Sequence, residues 1–336
     1  MPQSARGRRR GETVAWQDIC GQEHAVLLLQ KALLSKRLAH AYLFYGPEGI
    51  GKKLTALQFA KSLACEQGGG EACEHCPACR KIATENHPDI VCVHPEGHSI
   101  RIEDIRAIQR QLGYKPYESP YTIIIINGCE LLTAPAANAL LKTLEEPPDT
   151  GLLLLVTSKK DALPVTIVSR CQQIPFRRLA PEHVQAILQQ QGVDPSMATL
   201  AATLMAGSLD IWTPAEISHL LAKRQQVYSL FLEQMQPPTT PVFLQARQFA
   251  GTREQGDELL RWLMLFCRDL VIAKVTPNLP LYNQDLRTEL SALAQRVSLD
   301  GLLTLFTSLE QCRGYLAMNA NAQLTCEQVL LQIQQL

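Results

Sequence analysis

The sequence feature that most constrains the fold of this chain is a glycine-rich segment, which follows a short apolar run and precedes a helical stretch. The segment reads GPEGIGKK and spans 46–53. Its glycines permit tight turns, and its backbone N–H groups lie at the start of the next helix, so it is suited to hold a phosphate group. The residues predicted to contact phosphate are Gly46, Gly49, Gly51 and Lys52. A plain strand-to-helix turn is the alternative interpretation.

The positions that would hold magnesium beside such a loop are altered. The pattern continues with Ser or Thr, whose hydroxyl ligates magnesium, but this chain has Lys53 there. An Asp followed by Glu is expected at the end of a buried strand, where this chain has Asn127 and Gly128. Lysine cannot ligate magnesium, and glycine has no group that could orient a water. We therefore expect no magnesium and no ATP hydrolysis, whereas weak ATP binding without hydrolysis stays open.

Strand-like and helix-like segments alternate through the first half of the chain. The predicted strands share apolar, often β-branched residues, and they cover 40–45, 121–127, 151–157 and 172–176. The helices predicted between them cover 52–63 and 134–144. This alternation is typical of an α/β domain with a central parallel sheet.

The residue pattern changes after about Phe176, where Leu, Ala and Gln at helical spacing replace the β-branched runs. Helices are predicted over 181–191, 196–205, 210–234 and 258–274. A chain of 336 residues is long enough for two or three domains. We predict an α/β domain over 1–178, a small helical domain over 179–210 and an all-α domain over 211–336.

Four of the 11 cysteines lie close together in the sequence. They are Cys65, Cys73, Cys76 and Cys79. Four thiolates complete a tetrahedral zinc shell and leave no open ligand position, so this spacing predicts a structural zinc site in an insert over 65–79. Four unrelated reduced cysteines and an iron–sulfur cluster are the two alternatives.

A single arginine, Arg170, lies just before the last predicted strand, within the tripeptide Ser-Arg-Cys at 169–171. Taken alone, such an arginine is most often a surface salt-bridge residue.

Several segments together resemble the delta-prime subunits of the bacterial DNA polymerase III clamp loader, a family of AAA+ proteins. The matching segments are HAYLFYGPEGIGK at 40–52, the four-cysteine insert, ANALLKTLEEPP at 137–148 and SRC at 169–171. The segment NAN at 319–321, followed by Leu324, is similar to the end of the family's C-terminal domain. The tau/gamma subunits share these motifs but carry Thr or Ser in place of Lys53 and Asp-Glu in place of Asn127 and Gly128.

The resemblance implies an AAA+ P-loop domain, a helical lid domain and a C-terminal collar domain for oligomerisation. It implies a pentameric loader, built with tau/gamma and delta subunits, that places the sliding clamp on primed DNA for the DNA-directed DNA polymerase holoenzyme. This chain would be its non-hydrolysing stator. Arg170 would act in trans as an arginine finger on the ATP of a neighbouring subunit, and Ser158 would take a sensor-like position.

Two other functions compete with this one. The first is an ATP-hydrolysing motor subunit of the tau/gamma type. The second is a zinc-stabilised scaffold protein outside replication.

Composition and charge exclude several classes of protein. Lys and Arg total 32, as do Asp and Glu, so the chain as a whole is not a polyelectrolyte, although a local basic face could still contact nucleic acid. Hydrophobic residues make up 46%, which excludes a largely disordered chain. No apolar run approaches the roughly 20 residues of a membrane-spanning helix. The first ten residues carry four Arg and no apolar core, so we expect no secretory signal and a cytoplasmic location.

Overall fold

The computed structural model describes residues 15–95, 97, 99–205, 213–236 and 240–336. The described residues form two compact units, one running to Gly192 and including Met205, the other comprising 193–204 and the residues after 212. The first ten residues with their four Arg and the start of the helix predicted at residue 210 lie outside the described residues.

A five-stranded parallel sheet forms the centre of the first unit. Its strands are β1 (Ala41–Tyr45), β2 (Ile90–Val93), β3 (Thr122–Asn127), β4 (Gly151–Thr157) and β5 (Gln172–Pro175). Their order across the sheet is β2-β3-β4-β1-β5, and every pair is parallel. The predicted α/β domain with a parallel sheet is confirmed.

The first unit also contains helices, which are α1 (Glu23–Ser35), α2 (Lys52–Ala64), α3 (Pro77–Ala83), α4 (Ile102–Leu112), α5 (Ala134–Glu145), α6 (Val165–Val168) and α7 (Pro181–Gln190). Those from α1 to α6 contribute to the apolar clusters on the two faces of the sheet. In β3, Ile123 and Ile125 pack with α1 and α2, while Ile124 and Ile126 pack with α4 and α5. Because both faces are buried, the strand is apolar at every inner position instead of alternating with polar residues.

The second unit contains helices and no strand among its described residues. Its helices are α8 (Pro195–Leu204), α9 (Pro214–Gln234), α10 (Val242–Phe249), α11 (Arg253–Val275), α12 (Arg287–Arg296), α13 (Leu299–Ala317) and α14 (Ala322–Ile333). Helix α11 packs against α9, α10, α12, α13 and α14 around one apolar core. The predicted helical C-terminal region is confirmed.

The predicted small helical domain contains α7 and α8, which belong to different compact units. The division into three domains therefore stays a prediction. None of the described helices is both long and apolar enough to cross a membrane.

Candidate nucleotide and metal sites

The phosphate-loop segment connects β1 to α2 at the carboxyl edge of the sheet. Gly46 has a φ of 148°, and a Cβ atom there would collide with the carbonyl group of Phe176. The Phe176 N–H donates to the Tyr45 carbonyl at 2.8 Å, so the chain after β5 runs directly beside the loop. Only glycine fits at position 46, because a side chain would have to displace backbone.

The lysine of the loop is turned towards the loop itself. The Nζ atom of Lys52 donates to the carbonyl oxygen of Gly46 at 2.8 Å and also to that of Pro47. Lys52 is buried and begins α2, and Gly51 before it has a φ of 90°. The ammonium group thus lies within the turn that the sequence predicts for phosphate.

Lys53 occupies the position where the loop pattern has the Ser or Thr hydroxyl that ligates magnesium. Lys53 Nζ forms an ion pair with Glu85 Oε1 at 2.8 Å, and the other oxygen of Glu85 lies 2.9 Å from His94 Nε2. Burial raises the pKa of Glu85, but the hydrogen bonds from Lys53 and His94 outweigh it and hold the pKa below its ordinary value. Lys53 is therefore engaged with a carboxylate and offers no ligand to a metal.

The residues at the end of β3, Asn127 and Gly128, also differ from the Asp and Glu of a magnesium site. Gly128 takes a left-handed conformation with a φ of 80°. Two residues later, the Glu130 carboxylate accepts a hydrogen bond from the Ser158 N–H at 3.1 Å and another from the Ser158 hydroxyl. Burial raises the pKa of Glu130, yet these hydrogen bonds keep it below its ordinary value. The hydroxyl of Ser158 is thus committed to a carboxylate that sequence analysis did not single out.

Arg170 lies near the amino ends of the strands, whereas the phosphate loop lies at their carboxyl ends. It precedes β5, whose first residue, Gln172, is level with Tyr42 of the parallel strand β1. Gly46 follows the other end of β1, and the four-residue step from Tyr42 to Gly46 covers roughly 13 Å along the strand direction. The topology therefore separates Arg170 from the phosphate loop of its own chain.

The Arg170 guanidinium has two partners. Its Nη2 forms an ion pair with Glu145 Oε1 at 2.7 Å, and its Nη1 donates to the Thr166 carbonyl at 3.1 Å. Glu145 lies within the segment 137–148 that resembles the family, but its ion pair with Arg170 was not predicted. A signal for it exists: acidic residues at a helix C-terminus are unfavourable with the helix dipole unless a cation lies near.

The four clustered cysteines come together in space. Their sulfur atoms all lie within 4.8 Å of one another. A tetrahedral zinc shell with bonds of about 2.3 Å spaces its sulfurs about 3.8 Å apart, so the cluster fits a metal of this kind. Cys65 follows α2, Cys76 is the N-cap of α3, and Cys79 lies inside α3.

Backbone N–H groups point at three of the four sulfurs, while burial raises the pKa of the fourth thiol, Cys79. The N–H groups of Cys73, Cys76 and Cys79 donate to the sulfurs of Cys65, Cys73 and Cys76 at 3.4, 3.3 and 3.4 Å. Hydrogen bonds from the N–H groups of His75 and Cys76 lower the pKa of Cys73 to about 6. The insert thus brings four cysteine sulfurs together.

A buried ion pair holds the insert against the sheet domain. Lys61 of α2 lies 2.8 Å from Glu74 Oε2, and their side chains are only 4% and 11% exposed. Removing one partner of a buried pair typically costs about 3–5 kcal/mol, because the other charge is left unpaired. The spacing of residues does not predict this pair, because the pair depends on how the insert folds back.

Family models match both units of the chain. The family described as "DNA polymerase III, delta subunit" matches residues 21–180. The family described as "DNA polymerase III, delta subunit, C terminal" matches residues 218–335.

The chain is also similar to individual proteins. DNA polymerase III subunit tau of Bacillus subtilis is 38% identical over 170 residues, which are 50% of this chain and 30% of tau. A gamma subunit-related protein from Thermotoga maritima has a TM-score of 0.47 at 19% identity, over 92% of this chain and 98% of its own. DNA polymerase III subunit delta' of Bacillus subtilis is 31% identical over 326 residues, which cover 96% of this chain and 99% of that protein. Because this last match extends over nearly the whole of both proteins, the chain belongs to the delta-prime family of DNA polymerase III clamp-loader subunits.

Proposed function

We propose that this chain is the non-hydrolysing stator of a clamp loader and supplies Arg170 in trans to the ATP of a neighbouring tau/gamma-type subunit. The loader would also contain delta, and it would place the sliding clamp on primed DNA. One observation carries the proposal. Arg170 lies near the amino ends of the strands, away from its own phosphate loop at their carboxyl ends. At the positions that would hold magnesium and orient a water beside that loop, the chain has Lys53, Asn127 and Gly128.

The chemistry of a guanidinium suits this role. It is planar and permanently charged, and it can pair bidentately with phosphate oxygens. A guanidinium supplied from a neighbouring subunit neutralises the charge that develops on the transferred phosphoryl group. A finger in trans also makes hydrolysis depend on assembly, because the active site is complete only when the two subunits meet.

The isolated chain is expected to hydrolyse ATP at no more than background rate. Phosphoryl transfer depends on a metal and on a positioned water, and this chain lacks the usual groups for both. Steady-state phosphate release, measured beside a Lys52→Ala variant, checks this. Turnover comparable to an ordinary AAA+ motor that disappears in Lys52→Ala would instead support the motor alternative.

We further propose that Cys65, Cys73, Cys76 and Cys79 hold one zinc ion. The ion would cross-link the insert and would play no part in catalysis, because four thiolates fill its shell. Elemental analysis of protein purified under reducing conditions should give close to one zinc per chain. Iron with visible absorbance, or no metal at all, would contradict the assignment.

Reconstitution tests the proposed function as a whole. The chain is mixed with tau/gamma and delta subunits, and ATP-dependent loading of the clamp onto primed DNA is measured with and without it. We expect a stable complex with the other subunits and loading that requires this chain. Failure to associate with them would favour a scaffold protein outside replication, and full loading in its absence would refute the stator role.

A further inference from the structure

Arg170 is presented at the surface by contacts from two different elements. One is the Thr166 carbonyl in α6, which accepts from Nη1 at 3.1 Å. The other is Glu145, the last residue of α5, whose carboxylate lies 2.7 Å from Nη2. Each Nη carries two hydrogens, so one hydrogen on each remains for another acceptor.

Both side chains of the Arg170–Glu145 ion pair are accessible at the surface of the protein. The side chains of Arg170 and Glu145 are 37% and 52% exposed. An ion pair this exposed contributes little to the stability of a fold. It does restrict a long, flexible side chain to one region of the surface, and this is the property that a trans-acting arginine needs.

The carboxylate itself is held by a rigid support. Leu144, next to Glu145, is buried in the core on one face of the sheet. Two residues before the end of α5, the Thr143 hydroxyl accepts a hydrogen bond from Gln109 Nε2 of α4 at 3.0 Å. Pro147 and Pro148 follow after the single residue Glu146, and proline cannot continue the helix, so α5 ends at a fixed place.

We propose that Glu145 is a positioning residue that holds the Arg170 guanidinium ready for the phosphate of the neighbouring subunit. This inference rests on the proposed trans role of Arg170. A guanidinium that is already ordered loses less conformational freedom when it meets the phosphate, and small misplacements of a catalytic group are costly. The phosphate does not have to displace Glu145, because the remaining Nη hydrogens can form a bidentate contact.

The neighbouring residue Glu146 provides a matched control. It is an exposed glutamate of the same size and charge, one position further along the chain. Its side chain forms none of the ion pairs found in the described part of the chain. A general effect of removing negative charge here would appear equally in Glu145→Ala and Glu146→Ala.

The test uses the fully assembled loader with clamp and primed DNA, and compares kcat and KM for ATP across Glu145→Ala, Glu145→Gln, Glu146→Ala and Arg170→Ala. We expect Glu145→Ala to lower the turnover of the affected site about tenfold, with KM unchanged, since misplacement acts on the transition state. Glu145→Gln should stay within about twofold of wild type because the amide oxygen still accepts from Arg170. Glu146→Ala should not differ from wild type.

The double variant Glu145→Ala/Arg170→Ala separates positioning from an independent role. We expect it to be no slower than Arg170→Ala alone, because Glu145 acts only through the arginine. Wild-type turnover in Glu145→Ala would overturn the inference, as would a loss that adds in full to that of Arg170→Ala. If Arg170→Ala is itself without effect, the proposed function fails; if only Glu145→Ala is without effect, the inference fails alone.

Discussion

Replacement of Arg170 with alanine is expected to abolish ATP-dependent clamp loading by the assembled complex while leaving assembly intact. Arginine fingers contribute about 10³ to 10⁵ in rate in GTPases, and we expect a loss of about 10³ at the one ATP site that Arg170 reaches. Assembly should survive because the side chain is partly exposed and its ion pair with Glu145 is a surface contact.

Two further variants make the Arg170 experiment specific. Arg170→Lys keeps the charge but loses the planar fork, so it should recover only a small part of the rate. Arg37→Ala removes an exposed arginine elsewhere in the first unit and should behave as wild type. Single-turnover measurements resolve the affected site from the others in the complex. Unchanged loading in Arg170→Ala, or a defect that is explained entirely by failed folding or assembly, would make Arg170 a structural residue.

Replacement of Cys79 with serine is expected to release the metal and open the insert. Cys79 is fully buried, and serine keeps its size but provides no thiolate. Structural zinc contributes about 10 kcal/mol or more in isolated zinc-finger peptides. Because the Lys61–Glu74 pair also anchors the insert, we expect a smaller local effect of about 4 kcal/mol, a fall of roughly 10³ in amide-exchange protection.

Hydrogen exchange across 65–83, measured together with metal content, checks the Cys79→Ser prediction. Cys92→Ser is the control, since Cys92 lies in β2 outside the cluster and should keep both the metal and the protection. A chelator should reproduce the effect in the wild-type chain and add nothing to Cys79→Ser. Full metal content and unchanged exchange in Cys79→Ser would contradict the zinc assignment.

The sequence predicted most of the sheet because buried parallel strands leave a strong local signal. The run ending at Thr157 was predicted with the bounds that β4 has in the structure. Strand β2 was missed, since Ile90–Val93 has only four residues and periodicity cannot be read over so short a run. Helix α4 was also not identified, although its buried residues Ile105, Ile108 and Leu112 have helical spacing.

The candidate sites were predictable where one stretch of chain supplies the residues. The phosphate loop and the four cysteines are of this kind. The contacts that position their side chains were not predictable, because Glu130 with Ser158, Glu145 with Arg170 and Lys61 with Glu74 join residues from separate elements. Such pairs follow from tertiary packing, which residue spacing alone does not describe.

The order of strands in the sheet has a consequence for biosynthesis. Strand β1 lies between β4 and β5, so neither of its hydrogen-bonding neighbours exists when it leaves the ribosome. Roughly 100 residues must be added before β4 is complete, which takes on the order of 5–20 s at bacterial elongation rates. Throughout that interval the apolar segment Ala41–Tyr45 has no strand to pair with, although it becomes the buried centre of this half of the sheet. The first strand to be translated is therefore among the last to gain its hydrogen-bonding partners, although α1 and α2, which pack on one of its faces, are made close to it in time.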